Sequence, residues 1–386
     1  MKHKNFIKIT ILLSNMLTMM VSSVITPSLP LIKTSFPNIA GIDLLSRLVM
    51  TLPALLIAII APVSGYIIDK LGRKKVLTVS LICYGISGVS AFFINNIYFI
   101  LISRAILGIS VAGVMTSATT LIGDYFKGDE RKKFIGMQGA FIGISGVICM
   151  ALSGWLADFD WQAPFLLYSI TFIIFIFAII FIYEPELRSQ NEAITNSEQH
   201  TADYSKPLIL YIYILGFLSL AFFFMIPVQV PFLLRSLSSL SNFKIGIAFS
   251  ISTLSTAAVA INYKRIKDIF SFPNIYAIAF ILMGSGYYII GLSTNYYHYV
   301  IGLILGGLSV GLIMPTGSLW ILEVAPVEVR GRLVGNMTFF MFMGRFFSPI
   351  MLAPIINSYS LPGTFKIAAF ALFILSVILI GTSKTH

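Results

Sequence analysis

The sequence predicts an all-α membrane protein of twelve transmembrane helices, arranged as two pseudo-symmetric six-helix bundles. Three observations predict it: apolar blocks recur along the whole chain, basic residues segregate to alternate loops, and the first half recurs in the second. Of the 386 residues, 57% are hydrophobic and 11% charged, whereas soluble domains carry about 25% charge. A helix needs roughly 20 apolar residues to cross a hydrocarbon core about 30 Å thick. Such blocks lie at 7–32, 46–68, 76–94, 98–120, 134–154, 162–183, 207–230, 244–262, 273–293, 298–321, 333–356 and 363–382. They are continuous runs, not alternating ones, which argues against a β-barrel.

The first block follows Lys2, Lys4 and Lys8 and is too long for the core of a secretory signal. Pro27, Pro30 and Lys33 do not form a small-residue cleavage site, so it is expected to remain as the first helix. With its N-terminus inside, nineteen of the 26 Lys and Arg fall in cytoplasmic segments. Five (Lys33, Arg47, Arg235, Lys244 and Lys366) fall in outer loops or helix ends, and two (Arg104 and Arg345) within helices. This is the positive-inside pattern, and it places both termini in the cytoplasm. The net charge of +11 therefore records topology, and nucleic acid is not an expected partner. Cys83 and Cys149 fall in helices and read as structural thiols.

A constant offset of 199 residues relates the halves. It carries Asp69 to Asp268, Gly108 to Gly307, Asp124 to Glu323, Arg131 to Arg330 and Gly136 to Gly335. Six helices per half give both halves the same orientation, and in such parallel repeats the substrate site lies near midplane between them. The bundles are expected at 1–183 and 207–386. The polar stretch 184–206 reads as a cytoplasmic linker.

Between the second and third helices the chain reads Gly65-Tyr-Ile-Ile-Asp69-Lys-Leu-Gly72-Arg73-Lys74-Lys75. This resembles the signature loop of the major facilitator superfamily, G-x-x-x-D-x-x-G-R-[RK]-[RK]. Gly65 would permit close helix approach and Gly72 a tight turn, while Asp69 can stabilise a helix N-terminus or pair with a cation. The resemblance implies a latch joining the cytoplasmic ends of the halves. Its expected members are Gly65, Asp69, Gly72 and Arg73, with Asp124, Arg131, Glu323 and Arg330 of the corresponding loops. The fourth helix carries Arg104-Ala-Ile-Leu-Gly108, resembling the family's R-x-x-x-G element, with Gly108 one turn on and leaving space beside Arg104. In proton-coupled relatives this Arg is linked to proton transfer; the alternative is an Arg satisfied by backbone carbonyls that holds helices together. In the fifth helix, Gly139, Gly143, Gly146 and Gly154-Trp-Leu-Ala-Asp158 resemble the family's exporters, without their Gly-Pro pair. A small-residue packing face is expected there.

Arg345 stands at the middle of the eleventh helix, and the offset aligns it with Gly146. An intramembrane Arg costs about 2.5–3.5 kcal/mol on insertion scales. None of the fifteen Asp and Glu falls in a helix core, so two arginines without acids predict a positive cavity awaiting a carboxylate or phosphate. The alternative is packing on Phe342, Phe346 or another aromatic. Asn15, Gln138, Gln229 and Asn336 are further candidates for the pathway, or for helix–helix hydrogen bonds.

The expected function is secondary transport of a small organic molecule by alternating access across a bacterial cytoplasmic membrane. The resemblance implies proton-coupled efflux of a drug or secreted metabolite, and the alternative is an importer or facilitator of an organic anion. A receptor or scaffold on the same fold is the reading from another class. An enzyme is not expected: His-Glu-x-x-His, Gly-x-Ser-x-Gly, Walker A and paired intramembrane aspartates are missing. No metal or cofactor is expected; the partners are substrate, proton and bilayer, and the protein is expected to be a monomer.

Overall fold

The first span is broken where the sequence placed its prolines. In the computed structural model, which describes residues 2–126, 128–185, 205–237, 240–326 and 329–382, α1 (Lys2–Ser23) passes through a 3-10 turn (Thr26–Ser28) into α2 (Leu29–Ser35). Pro27 and Pro30 lack the N–H that a continuous helix needs, and each sits where a new turn begins. The other spans of the first bundle are α3 (Ile42–Leu71), α4 (Arg73–Phe93), α5 (Ile97–Tyr125), α6 (Gly128–Ala157) and α7 (Ile170–Phe181), the last entered through a 3-10 turn at Ala163–Ser169. The second bundle holds α8 (Lys206–Ser236), α9 (Asn242–Lys267), α10 (Phe272–Leu292), α11 (Tyr296–Val324) and α12 (Arg330–Thr382). Eleven helical segments among the described residues are long and apolar enough to cross a membrane. The twelfth span is hidden in α12, whose 53 residues break at Ser360 (φ 62, ψ 168). A non-glycine residue at positive φ ends a helix, so 330–359 and 361–382 are separate crossings. The polar linker expected at 184–206 lies, over 186–204, outside the described residues.

Twelve crossings put residues 2 and 382 on one face, here the terminal face; the opposite one is the distal face. Asn96, Ser205, Ser241 and Asn295 cap the helices that follow them by accepting backbone N–H groups, supplying partners that the bilayer cannot. Within the first bundle α3 and α4 pack on α5, and α1 on α6; within the second α10 and α8 pack on α12, and α9 on α11. The bundles meet where α6 lies on α9 and α3 on α12.

Arg104 is fully buried inside the first bundle. Its Nη2 donates to the carbonyls of Ser87 (2.7 Å) and Gly88 (3.1 Å), its Nε to Ser103 Oγ (3.3 Å). The guanidinium lies 5.1 Å from the Phe165 ring and 5.3 Å from Tyr168. Gly108 does not leave space beside it. A Cβ there would come 2.6 Å from the Pro53 carbonyl, so Gly108 admits the backbone of α3 instead. Charge-assisted hydrogen bonds contribute about 1.5–3 kcal/mol each. Arg104→Met is therefore expected to cost about 3 kcal/mol, read as a lower unfolding temperature in detergent, with ligand affinity of the folded fraction unchanged.

Candidate functional site

A cavity of about 480 Å³ opens between the bundles, within the range that holds small organic ligands. Its walls come from the middle and terminal halves of α6, α8, α9, α11 and α12, with Met19 and Ser22 of α1 and Met50 of α3. Met19, Met50, Met150, Met314 and Met341 and Phe223, Phe224, Phe249 and Phe342 contribute to a largely apolar lining. Thioether and ring surfaces adapt to apolar ligands of different shape. The polar contribution is small: the hydroxyls of Ser22, Ser252, Thr253, Thr256, Ser318 and Thr338, and Arg345.

Arg345 is the charged residue of the lining. Its side chain is 9% exposed, and its guanidinium carbon stands 4.3 Å from the centre of the Phe224 ring and 5.8 Å from that of Phe342. Nε and Nη2 are buried without a hydrogen-bond partner. The rings thus hold the guanidinium, and two of its donors are left without a protein hydrogen-bond partner. Stacking on a ring contributes on the order of 2 kcal/mol when desolvated, which does not replace the hydrogen bonds a buried cation needs. A carboxylate, sulfonate or phosphate oxygen would satisfy both donors at once.

The other expected pathway residues lie elsewhere. Arg104 is enclosed in its own bundle. Asn15 is buried, donates to the Ile11 carbonyl and accepts from Gln138 Nε2 at 2.8 Å, joining α1 to α6. Gln229 accepts from Arg47 Nε at 2.9 Å. Asn336 is exposed in a separate shallow pocket with Lys206, Tyr213 and Phe340 near the terminal face. Asn15 is held between its own helix and Gln138, and Gln229, whose Nε2 is buried without a hydrogen-bond partner, does not line the cavity.

The residues expected to form the latch make contacts within their own halves. Gly72 takes φ +93°, as a tight turn requires, and Arg73 Nε pairs with Asp124 Oδ2 at 3.2 Å. Arg131 lies against Gly123 beside them. The helix N-terminus here is capped by Glu184, whose two oxygens accept from the backbone N–H groups of Arg73 (2.6 Å) and Lys74 (2.8 Å). The sequence had assigned this residue to the linker. The side chain of Asp69 lies outside the described residues. Gly65 does not mediate close approach, since nothing lies within 4 Å of a Cβ built there. Glu323 is exposed, and Arg330 donates to the Ala325 carbonyl at 3.1 Å. The Arg73–Asp124 ion pair of the first half thus has no matching pair between Glu323 and Arg330, and these contacts stay within their own bundles.

The bundles are joined instead toward the distal face. Asp158, at the end of α6, caps the start of α9: Oδ1 accepts from Asn242 N (2.6 Å) and Nδ2 (3.0 Å), and Oδ2 from Phe243 N (3.1 Å). Arg47, expected as an exposed topological charge, is 6% exposed, bonded to Gln229 and stacked 5.2 Å from Phe232. Built Cβ atoms on Gly154 and Gly246 would come 2.4 Å from the Asn242 carbonyl and 2.3 Å from the Met150 carbonyl, so backbones touch there. At Gly139 and Gly143, further toward the terminal face, nothing lies within 4 Å and both line the cavity. The glycine face of α6 is therefore divided, closed at its distal end and open at the other.

A carboxylate on a helix N-terminus contributes about 0.5–2 kcal/mol. Asp158→Ala is expected to shift the balance away from this distal closure about 2- to 30-fold. With Cys83 and Cys149 replaced by Ser, a Cys introduced at Met150 should react correspondingly faster with an impermeant maleimide added from the distal side. An unchanged rate would remove Asp158 from the seal.

A family model described as Major Facilitator Superfamily matches residues 11–241 and 212–385. The chain is 32% identical over 180 residues to the Multidrug transporter protein MdtP of Bacillus subtilis (strain 168), covering 45% of this chain and 32% of MdtP. It is 29% identical over 129 residues to the Quinolone resistance protein NorA of Staphylococcus aureus (strain N315), covering 33% of each. The chain thus spans about a third of the length of the curated relatives it matches. Among solved structures, the nucleoside transporter NupG superposes with a TM-score of 0.80 at 13% identity, over 98% of this chain and 99% of NupG. That likeness is one of fold.

Proposed function

This chain belongs to the Major Facilitator Superfamily, and from that premise we propose that it exports a small amphipathic organic anion by alternating access. It is a non-enzymatic, multi-pass membrane transporter; substrate class and direction are our inference. The unpartnered guanidinium of Arg345 inside a methionine- and phenylalanine-lined cavity carries the substrate class. Apolar walls take up the body of the molecule and two fixed donors its anionic group, a small number of polar groups orienting a largely apolar ligand. Efflux is favoured by the drug-transporter names of MdtP and NorA.

The positive-inside distribution supports taking the terminal face as cytoplasmic. The state described here then faces inward, with 1–183 and 207–386 as the two rocking units. Opening the seal around Asp158, Gly154 and Gly246 while closing the ends of α6 and α12 near Gly139 and Gly335 would turn the cavity outward. The proton carrier implied by the resemblance finds no carboxylate among the residues that line the cavity.

Cells expressing the protein and preloaded with anilinonaphthalene sulfonate, a fluorescent monoanion, are expected to lose the dye several-fold faster than vector controls. Equal rates for this dye and for neutral and cationic dyes would overturn export. Faster loss of the cation alone would overturn the anion assignment.

A further inference from the structure

We propose that export through this cavity is driven by the membrane potential: the substrate leaves with its own negative charge, and Arg345 is the charge that the field returns to the cytoplasmic side. This rests on the anion reading above and adds to it the source of energy. The argument begins with where the charges are. Among the described residues, Asp and Glu lie in loops or near helix ends. Those near the distal face are engaged away from the cavity, Asp158 on the α9 N-terminus and Asp43 with Lys33 at 2.6 Å. Arg104 and Arg47 bond protein partners and do not line the cavity, although Arg104 Nη1 is buried without a hydrogen-bond partner. The lining then holds one charge, Arg345, with hydroxyls as its other polar groups.

The electrostatics of a cycle follow. With an anion bound, the cavity is neutral, and its reorientation moves no net charge through the membrane. Empty, it carries one positive charge, so its return from outward- to inward-facing is the step on which the field acts. An inside-negative potential pulls that charge toward the cytoplasm and resets the carrier to the state described here. One full turn carries one negative charge outward. At 100 mV this sustains about a 50-fold gradient, the equivalent of ~2.3 kcal/mol per charge. The cycle needs no second ion.

Purified protein in vesicles loaded with anilinonaphthalene sulfonate tests this, with ethidium as a cationic probe and protein-free vesicles as background. A potassium diffusion potential of 100 mV, inside negative and without a pH gradient, is expected to accelerate dye exit and to sustain a gradient of about 50-fold. A pH gradient with the potential clamped at zero is expected to leave exit at the clamped rate. Arg345→Lys, which keeps the charge and loses the planar fork, is expected to bind more weakly and keep the voltage dependence. Arg345→Gln is expected to lose the carrier-mediated flux. Anion exit driven by the pH gradient at zero potential would overturn voltage coupling and leave anion export standing, as would carrier-mediated exit indifferent to both gradients. Transport of ethidium and not of the anion would overturn the anion reading itself, and transport of neither by folded protein would overturn export.

Discussion

Arg345→Gln is expected to weaken binding of an amphipathic monoanion by about 10- to 150-fold, the equivalent of the 1.5–3 kcal/mol of a hydrogen bond to a charged group. Its Nε and Nη2 are buried without a hydrogen-bond partner, so an arriving oxygen gains bonds that displace no existing hydrogen bond of these two donors. Gln retains an N–H donor but loses the charge and the fork that meets two oxygens together. The substitution should also relieve the protein, because a membrane-buried guanidinium costs about 2.5–3.5 kcal/mol on insertion scales. Fluorescence titration with anilinonaphthalene sulfonate, beside an unfolding curve on the same preparation, separates the two effects. Weaker binding with an unchanged or higher unfolding temperature is the expected pair. A protein that melts earlier and binds as before would make Arg345 a packing residue of Phe224 and Phe342.

Gly246→Val is expected to move the equilibrium between the two facing states by about 150-fold, away from the closed distal face. Even the first added carbon would stand 2.3 Å from the backbone carbonyl of Met150, and a helix backbone cannot turn aside as a side chain can. Overpacking of this kind costs about 3 kcal/mol at the upper end of its usual range. Only the state in which α6 and α9 touch here bears that cost. Spin labels on the exposed positions Phe159 and Tyr297, which flank the distal end of the interface, report the separation of the bundles. The long-distance population should come to dominate in Gly246→Val. In Gly139→Val the short distance should persist, since nothing lies within 4 Å of that site. Identical distributions in both variants would remove the α6–α9 contact from the gate.

The fold was legible because its causes are local. Apolar runs and the recurrence from Asp69 to Asp268 specify crossings and duplication without knowledge of which helices touch. The break at Pro27 and Pro30 interrupts a block that reads as one helix over 7–32, whereas the division between the last two helices, 333–356 and 363–382, brackets the break at Ser360. The site was legible only in Arg345. Arg104 looks the same in the sequence, one arginine amid an apolar helix. What distinguishes it is the Ser87 and Gly88 carbonyls and the rings of Phe165 and Tyr168, supplied by segments that pairing on α5 alone does not reveal. Glu184 looked like the first residue of a linker for the same reason, as its partners lie 110 and 111 positions away. The glycines of α6 show a regular spacing but not which of them touch, because that depends on the facing state. Met19, Met50 and Phe224 carried no signal apart from that of ordinary apolar residues.

The alignment of Arg345 with Gly146 makes the two halves unequal partners in movement. A Cβ on Gly146 would come 3.2 Å from Met19 and Thr253, and Gly146 offers a ligand no side chain, so the ionic grip belongs to one half alone. A molecule held by that grip is a passenger of the second bundle, and the first sweeps past it as the molecule turns. Friction between cargo and wall then falls on the methionines and hydroxyls of one side. Cargo size should therefore be selected by the half that slides, and cargo charge by the half that holds.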